Sequence, residues 1–293
     1  MAVDDVERSP ALARRLWRVG EPVHAIVYFH PRSASAWADV GLRGFWRGYF
    51  ATRAAPLGAV GPGPVIATFY NFAPSMVARA VPEVWTMATP ATAIAARLRG
   101  AEDALRDVLG DDADGTDLAE AAATVRTAVE GLPLSGRALF AANASLPWPD
   151  RPLHALWHGL TLVREHRGDG HNAVLAATGI DGCAAHALAA AVGATTRDVT
   201  QPARGWTDDE WDLGVRRLEE QGLVDTAGAA TDKGRSRHAM AEQRTDELAL
   251  EPWRAVDDEA LEALVATLAR LARRIAAAGV IRFPNPMGLP EPS

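Results

Sequence analysis

Apolar residues recur at helical spacing along most of this 293-residue chain, whereas the strict alternation typical of half-buried strands is scarce. Residues 10–19 place leucines and a valine on one face, and Pro10 suits the first position of such a helix. Residues 90–109 and 116–130 are rich in alanine and leucine, and an acidic loop separates them. These patterns predict a mainly α protein in which residues 90–130 form a helical hairpin.

Prolines and glycines divide the rest of the first half into short helices. The apolar segment 21–29 fits a short buried helix or a strand, and we favour a helix that begins at Pro22, because proline fits the first turn of a helix. Residues 33–58 are dense in aromatic side chains, and their glycines indicate two short helices that pack closely. The stretch SLPWPDRP, residues 145–152, has the composition of a linker. We therefore expect a helical domain over residues 1–148.

The segment REHRGDGH, residues 164–171, is predicted to join two helices. Gly168 is placed to end a helix over residues 153–167, because glycine adopts the left-handed conformation that often terminates helices. Asp169 is placed to cap a second helix over residues 171–179. These local signals predict a corner at this point of the chain.

The next segments follow the order of a winged helix-turn-helix. Residues 181–193 predict a helix, and residues 206–225 predict another in the recognition position, with Thr207 and Glu210 as a capping box. Gly222 fits the C′ position at the end of that helix, where a positive φ is required. The segment TAGAATDKG then predicts a short β-hairpin, the wing.

We expect this winged-helix-like domain to span residues 149–252, with a C-terminal region over 253–293. In that region, residues 257–279 predict one long helix that Asp257 caps and Gly279 ends. An apolar seam runs along this helix and consists of Leu261, Leu264, Leu268, Leu271 and Ile275. The seam predicts either packing back on its own chain or a homodimer, and both alternatives stay open.

The charge balance argues against nucleic-acid binding. The formal net charge is −7 at pH 7, whereas proteins that bind phosphate backbones usually present a basic face. The predicted recognition helix has only two cations, Arg216 and Arg217. Its acids are Asp208, Asp209, Glu210, Asp212, Glu219 and Glu220. We therefore expect weak or absent DNA binding.

The residue usage indicates a cytoplasmic bacterial protein. Cys183 is the only cysteine, so an intramolecular disulfide and a cysteine-based zinc site are both excluded. The N-terminal segment is acidic and polar rather than a signal peptide, and no run of about 18 apolar residues predicts a membrane span. Lys233 is the only lysine among 30 basic residues, which is typical of a GC-rich genome.

Several segments resemble those of a known family, the SalK-like proteins of actinobacteria, which carry a helix-turn-helix domain. The matching segments are GLRGFWRGYFATRAAPLG, ATFYNFAP, REHRGDGH and LEEQGLVDTAGAATDKG. The last of them also resembles the equivalent segment of MarR-like winged domains. This resemblance implies the fold and implies no particular activity. It rests most on Arg43, Trp46, Arg53, Tyr70, Asn71, Arg164, Glu165, His166 and Asp169.

Polar side chains set among aromatic ones predict a pocket for a small molecule, aromatic or anionic, between the helical and winged halves. Neighbouring Arg164 and Glu165 do not share a helix face, so each is expected to find a different partner. The predicted ligand residues are Arg43, Trp46, Arg53, Tyr70, Asn71, Phe72, Arg164, Glu165 and His166. The alternative is an aromatic core with arginines lying across its rim.

Two other functions stay open at this point. An enzyme could use the same pocket, with Glu165 and His166 as general acid and base. His154 and His158 lie four residues apart on one helix, a spacing found in metal sites, although an accidental pair is the simpler interpretation. The third function is a MarR-like transcription regulator that responds to a ligand. The sequence indicates no particular cofactor.

Overall fold

Helices make up almost all of the regular structure. The computed structural model describes residues 8–292, which contain fifteen α-helices and four short 3-10 helices. The helices of the first half are α1 (Pro10–Ala25), α2 (Pro31–Ala38), α3 (Phe45–Ala54), α4 (Pro62–Phe69), α5 (Pro74–Ala78), α6 (Val84–Met87), α7 (Pro90–Leu109), α8 (Asp117–Val129) and α9 (Ala138–Ala144). Those of the second half are α10 (Pro152–Ala177), α11 (Gly182–Ala191), α12 (Arg197–Arg204), α13 (Asp208–Glu220), α14 (Asp232–Ala249) and α15 (Asp258–Ala277). The prediction of a mainly α protein is confirmed, and α7 and α8 are the predicted helical hairpin.

Helix α1 is longer than its sequence pattern predicts. Pro22 lies inside α1, so the prediction of a separate helix beginning there is wrong. The second half of α1 is buried, and a Cβ on Gly20 would lie only 3.3 Å from the Leu160 side chain of α10. This close packing holds α1 together across Pro22, which has no backbone N–H to donate to a helical hydrogen bond.

Helices α2 and α3 pack closely, as the glycines between residues 33 and 58 predict. A Cβ on Gly48 would lie 2.4 Å from the Trp37 ring, so a larger residue would force the two helices apart. The rings that follow form one aromatic cluster, made of Tyr49, Phe50, Phe69 and Phe72. This cluster forms part of the wall of the cavity described below.

Helix α10 continues without a break through the segment REHRGDGH. The predicted corner at Gly168 and Asp169 is therefore wrong. The Asp169 carboxylate instead accepts a hydrogen bond of 2.9 Å from the backbone N–H of Phe140, and so it caps α9 from a neighbouring helix. A Cβ on Gly170 would lie 2.6 Å from the Arg137 guanidinium. Both residues serve contacts between helices rather than a turn in the chain.

Helices α11 and α13 of the C-terminal half pack against each other. A Cβ on Gly214 of α13 would come within 3.1 Å of the Cys183 sulfur on α11, so the two helices lie close together. The capping box of Thr207 and Glu210 is present, and Gly222 follows α13 with a φ of 67°. Both predictions about the ends of α13 are confirmed.

An additional helix, α12, lies between α11 and α13. Only residues 205–207 join α12 to α13, and Gly205 there has a φ of 75°. Helices α12 and α13, rather than α11 and α13, are therefore joined by the turn of about 3–4 residues that is typical of a helix-turn-helix. No pattern in the sequence predicts α12. Arg197 and Gln201 of α12 bond to Asp208 at the start of α13, at 2.7 and 2.9 Å. Thr200 and Arg204, also on α12, line the cavity.

The predicted wing is reduced to a single bridge. Val224 and Ala230 form one antiparallel β-bridge, and the described part of the chain contains no strand. The backbone N–H of Asp225 donates to the Ala229 carbonyl at 2.9 Å, which closes a tight turn. The prediction of a β-hairpin is therefore corrected to a turn with one bridge.

Helix α15 packs against α1, α7 and α8 of its own chain. All five residues of the predicted seam are buried in these contacts: Leu261, Leu264, Leu268, Leu271 and Ile275.

No single helix among residues 8–292 combines the length and the apolar character needed to cross a membrane, although α10 and α11, joined at a bend of 91°, meet both criteria when taken together.

Candidate functional site

Glu165 stands at the centre of a buried ion-pair network. It accepts two hydrogen bonds from Arg53, at 3.0 and 3.1 Å, and one of 2.8 Å from Arg164. Arg164 also reaches Glu21 on α1 at 3.2 Å. The two neighbours therefore have different further partners, as predicted, but they also bond to each other. Burial would raise the pKa of Glu165, yet the charges of Arg53 and Arg164 outweigh it and lower the pKa to about 2.

A cavity of about 310 Å³ lies beside this network. Its walls come from α1, α3, α10, α11, α12 and α14, and residues 286–288 of the C-terminal segment line it as well. Its volume is at the lower end of the range for small-molecule pockets, which is about 300–1,000 Å³. Four of the predicted ligand residues line it: Arg53, Asn71, Phe72 and Arg164.

The wall formed by α1, α10 and α14 is rich in charges that are already paired. Arg14 contacts Glu242 at 2.6 Å and Asp246 at 2.9 Å. Arg167 contacts the same Asp246 at 2.6 Å. Buried ion pairs of this kind hold helices in register, but their charges are compensated before any ligand arrives.

His171 lies in the same wall with a defined tautomer. Its Nδ1 is 2.9 Å from the Thr245 hydroxyl, and that hydroxyl donates its own proton to the Ala241 carbonyl at 2.7 Å. The Nδ1 atom must therefore carry the hydrogen, which leaves Nε2 as an acceptor. Burial lowers the pKa of His171, so the ring is neutral near pH 7.

The α12 side of the cavity differs because Arg204 has no carboxylate partner among residues 8–292. Its guanidinium lies over the Phe72 ring at 4.6 Å, and one Nη donates to the Pro286 carbonyl at 2.7 Å. The Nε–H is buried and has no hydrogen-bond partner in the described structure. Burial, together with Arg53 and Arg164, lowers the pKa of Arg204 and outweighs a hydrogen bond to the Tyr49 hydroxyl, which raises that pKa. A buried donor without a partner costs about 1–3 kcal/mol.

Two acceptors near Arg204 are likewise without hydrogen-bond partners in the described residues. They are His186 Nε2, on a side chain that is only 8% exposed, and Asn71 Oδ1. Both residues line the cavity. Burial and the charge of Arg204 lower the pKa of His186 to about 3, so its ring is neutral. The cavity therefore has one wall of satisfied charges and one of unsatisfied polar atoms.

The other predicted ligand residues lie elsewhere. Arg43 is exposed and outside the cavity, and Trp46 packs its ring against Phe50 and Phe72. Tyr70 is the only described residue other than glycine with a positive φ, 44°, and its hydroxyl donates to the Ile180 carbonyl at 2.7 Å. It therefore fixes the turn after α4 against the start of α11.

Glu165 and His166 do not face the cavity either, although both were predicted to act there. Glu165 is 1% exposed and is enclosed by its arginines. The His166 ring is fully buried against Phe140, and burial and Arg137 lower its pKa to about 3. The two residues point to different parts of the interior, so the geometry does not pair them as acid and base.

His154 and His158 also separate in space. His154 Nε2 lies 2.7 Å from a Glu102 oxygen, whereas His158 is buried edge-to-face against Trp148, with ring centroids 4.9 Å apart. Burial and Arg97 lower the pKa of His158 to about 4. Across the described ranges, no three His, Cys, Asp or Glu side chains are grouped to hold a metal ion.

The outward face of α13 is acidic. Asp209, Asp212, Glu219 and Glu220 are exposed there, and Arg216 is the exposed cation among them. Arg217 is turned to Asp181 at 2.7 Å. In the reduced wing, Lys233 donates to the Gln221 carbonyl at 2.7 Å, and Arg235 donates to the Ala230 carbonyl at 2.6 Å. The basic side chains nearest α13 are thus engaged within the chain.

Several cavity residues carry no signal in the sequence that points to a site. Arg14 and Arg167 lie on amphipathic helices whose polar faces usually meet solvent, and His186 sits in a run of alanines. Arg204 belongs to α12, which the sequence pattern does not predict. Only the aromatic residues near Asn71 mark this region in advance, because they indicate a polar group held among rings.

A comparison with protein-family models finds one match that covers most of the chain. A model described as a helix-turn-helix family matches residues 13–282. Neither the curated proteins nor the solved structures contain a match to this chain.

Proposed function

The chain belongs to a helix-turn-helix family, and from this premise we propose that it binds a small organic molecule, aromatic or anionic, in its interior cavity. The observation that carries the proposal is the unsatisfied α12 wall of a cavity of about 310 Å³. Proteins rarely leave buried polar atoms without partners unless a water, an ion or a ligand completes them. Other buried polar atoms without partners, such as Arg97 Nε and His158 Nε2, lie on residues outside the cavity. The proposal therefore rests on the three atoms that coincide with a cavity large enough for a small molecule.

The finer resemblance to SalK-like and MarR-like proteins is consistent with this proposal. We interpret residues 1–148 as the helical part, residues 149–252 as a winged-helix-like part, and 253–293 as a C-terminal part. The cavity draws its walls from all three segments. A ligand there would stabilise their packing, because binding only to the folded state adds to its stability. The burial of the α15 seam favours packing on the same chain over a homodimer through that helix.

DNA binding is the second candidate function, because the family is a helix-turn-helix family and we interpret α13 as its recognition helix. The charge on α13 argues against strong binding. Its exposed acids would face phosphates, and the wing cations bond to backbone carbonyls of the chain itself. We therefore propose that DNA affinity is weak and that the cavity is the principal site.

An enzyme is the third candidate, and the geometry favours it least. The predicted acid and base, Glu165 and His166, stand outside the cavity, and His154 and His158 do not converge. His171 is a neutral base in the cavity wall, and Glu242 and His238 lie near it. We assign no reaction to it, because Glu242 is already paired with Arg14 at 2.6 Å.

Ligand binding can be tested with three naphthalene probes that differ in charge: 2-naphthoate, 2-naphthylmethanol and 2-naphthylmethylamine. We expect calorimetric binding of at least the anion. Ala189→Trp should abolish it, because Ala189 lines the cavity and the larger ring would fill it. Ala119→Trp, at an exposed position of α8, is the matched control. Absence of binding by all three probes would contradict the proposal, as would equal binding by both variants.

The DNA question needs a separate experiment. A gel-shift titration at about 50 mM salt, where phosphate contacts are strongest, should show at most weak binding without sequence preference. Replacing Asp209 and Asp212 by asparagine should strengthen that binding, because it removes two exposed carboxylates. Tight, sequence-selective binding by the unmodified protein would make DNA readout the main function.

A further inference from the structure

The charges around the cavity balance to within one unit. Five arginines line it: Arg14, Arg53, Arg164, Arg167 and Arg204. The carboxylates that pair with them are Glu21, Glu165, Glu242 and Asp246, and each of these contacts one of the first four arginines. Arg204 is therefore the one lining arginine without a carboxylate partner in the described structure. A single negative charge on a ligand would neutralise the site, whereas a dianion would leave it overcharged.

The atoms near Arg204 also define the hydrogen-bonding character of the ligand. His186 also hydrogen-bonds to the backbone of Asn71, and this bond opposes the lowering of the His186 pKa, so His186 donates and the Asn71 carbonyl accepts. Since Nε2 has no partner, the bond belongs to Nδ1, which then carries the hydrogen of the neutral ring. Nε2 is left as an acceptor, like Asn71 Oδ1. Two acceptors and one cationic donor at this end therefore lack partners in the described structure. Each atom is almost fully covered, so a small side-chain rotation must expose it to a ligand.

Resting on the proposed function, we propose that the α12 end of the cavity binds an organic carboxylate that also carries a neutral hydrogen-bond donor, such as a hydroxyl or an amide N–H. Arg204 binds the carboxylate, and His186 Nε2 and Asn71 Oδ1 accept from the donor. A protonated amine is disfavoured as the donor because three arginines, Arg53, Arg164 and Arg204, lie around this part of the cavity.

The aromatic and C-terminal surroundings suit such a ligand. Phe72 lies beneath the Arg204 guanidinium, and Phe69 lies beneath that of Arg53, at 4.2 Å. Pro286 accepts from Arg204 at 2.7 Å, so the C-terminal segment covers this end of the cavity. A bound acid would be shielded from water, which strengthens its interaction with the guanidinium.

The test compares 2-naphthoate, three hydroxy-2-naphthoates with the hydroxyl at position 3, 5 or 6, and 2-naphthol by calorimetry. We expect at least one hydroxy acid to bind about tenfold or more tightly than both 2-naphthoate and 2-naphthol. A hydrogen bond to a buried acceptor that otherwise has no partner is expected to change the affinity by about this factor. This comparison uses the unmodified protein, so it does not depend on any variant folding.

Variants then assign the two contacts. Arg204→Gln should weaken both acids about tenfold or more and leave 2-naphthol unchanged, since a bond to a charged partner is lost. His186→Leu should reduce the preference for the hydroxyl, since Asn71 Oδ1 remains as an acceptor, and should leave 2-naphthoate unchanged. Arg43→Gln, an exposed arginine outside the cavity, is the control and should bind as the unmodified protein does.

The outcomes separate this inference from the proposed function. If probes bind, Ala189→Trp abolishes their binding, and Arg204→Gln leaves the acids unaffected, the cavity is a ligand site but the carboxylate subsite is wrong. If no hydroxy acid exceeds 2-naphthoate, the donor requirement is wrong. If no probe binds, both the subsite and the proposed function are overturned.

Discussion

The cavity has two polar walls that use the same side chain, arginine, in different surroundings. On the α1, α10 and α14 side, and around Glu165, every arginine that lines the cavity contacts a carboxylate on a different helix. On the α12 side, Arg204 contacts an aromatic ring, one carbonyl and the Tyr49 hydroxyl but no carboxylate, beside two acceptors without partners in the described structure. The comparison teaches that arginine content alone does not locate a binding site. What matters is which charges the protein leaves uncompensated.

The largest effect on stability should follow from removing the Glu165 carboxylate, which lies at the centre of the paired arginines. Glu165→Gln leaves Arg53 and Arg164 buried without their shared negative charge. Removing one member of a buried ion pair costs about 3–5 kcal/mol. We expect that loss in the free energy of unfolding, measured with urea at pH 7. Arg43→Gln serves as the control and should change it by less than about 0.5 kcal/mol. A loss below about 1 kcal/mol for Glu165→Gln would show that this wall is not held together by its ion pairs.

The second effect is the loss of the stability contributed by Glu165 as the pH is lowered. The folded state lowers the pKa of Glu165 from 4.5 to about 2, so the unfolded chain takes up this proton first. The stabilisation is present above pH 4.5 and is lost as the pH falls through about 2, with a total of about 3 kcal/mol. The stability difference between the unmodified protein and Glu165→Gln should therefore shrink between pH 4.5 and 2. A constant difference across that range would mean that Glu165 titrates normally in the folded state.

Asp169, one turn further along α10, should have a smaller effect on stability, with the opposite dependence on pH. Burial raises its pKa to about 6, although the Phe140 N–H partly opposes this. Its contribution is full below the ordinary value near pH 4 and is lost as the pH rises through about 6. Asp169→Asn keeps an oxygen for the Phe140 N–H and carries no charge. We expect it to be more stable than the unmodified protein by about 1–2 kcal/mol at pH 7.

The control for Asp169→Asn is the same pair of proteins near pH 4, where the advantage of the variant should disappear. Urea titrations at both pH values measure it. Lower stability of Asp169→Asn at pH 7 would mean that the carboxylate charge is needed to cap α9.

Local signals in the sequence predicted helix ends well where the partner of each signal is also local. Thr207 and Glu210 cap the helix that they begin, and Gly222 ends it with a positive φ. The same types of residue misled at Gly168 and Asp169, because Asp169 caps a different helix. Sequence spacing does not distinguish a cap within one helix from a cap across two. That distinction depends on how the helices pack.

The candidate site was predictable only where aromatic residues surround a polar one. Asn71 and Phe72, with Arg53 and Arg164, line the cavity as the sequence predicts. Glu165 and His166 belong to the same segment as Arg164, but a helix directs successive side chains about 100° apart, and theirs lie outside the cavity. Arg204 was missed because α12 has Pro202 inside it, a residue that argues against a helix when only the sequence is read.

The smallest expected effect is the one that most sharply separates the two walls. Arg204→Gln removes a half-buried charge whose pKa is already lowered, and it loses bonds to the Pro286 carbonyl and the Tyr49 hydroxyl. These changes oppose each other, so the ligand-free variant should match the unmodified protein within about 1 kcal/mol in urea unfolding. Residues kept for binding often contribute little to stability or oppose it.

That result gains its meaning from the same measurement with ligand present. A hydroxy-2-naphthoate at a concentration of about 100 times its dissociation constant should stabilise the unmodified protein by about 2.7 kcal/mol. At the same ligand concentration, Arg204→Gln should gain about 1.4 kcal/mol less, the equivalent of a tenfold weaker affinity. A ligand-free loss above about 2 kcal/mol would instead make Arg204 a structural residue like Arg53. The two walls would then differ only in the identity of the partner, a carbonyl in place of a carboxylate, and the uncompensated charge would no longer mark a site.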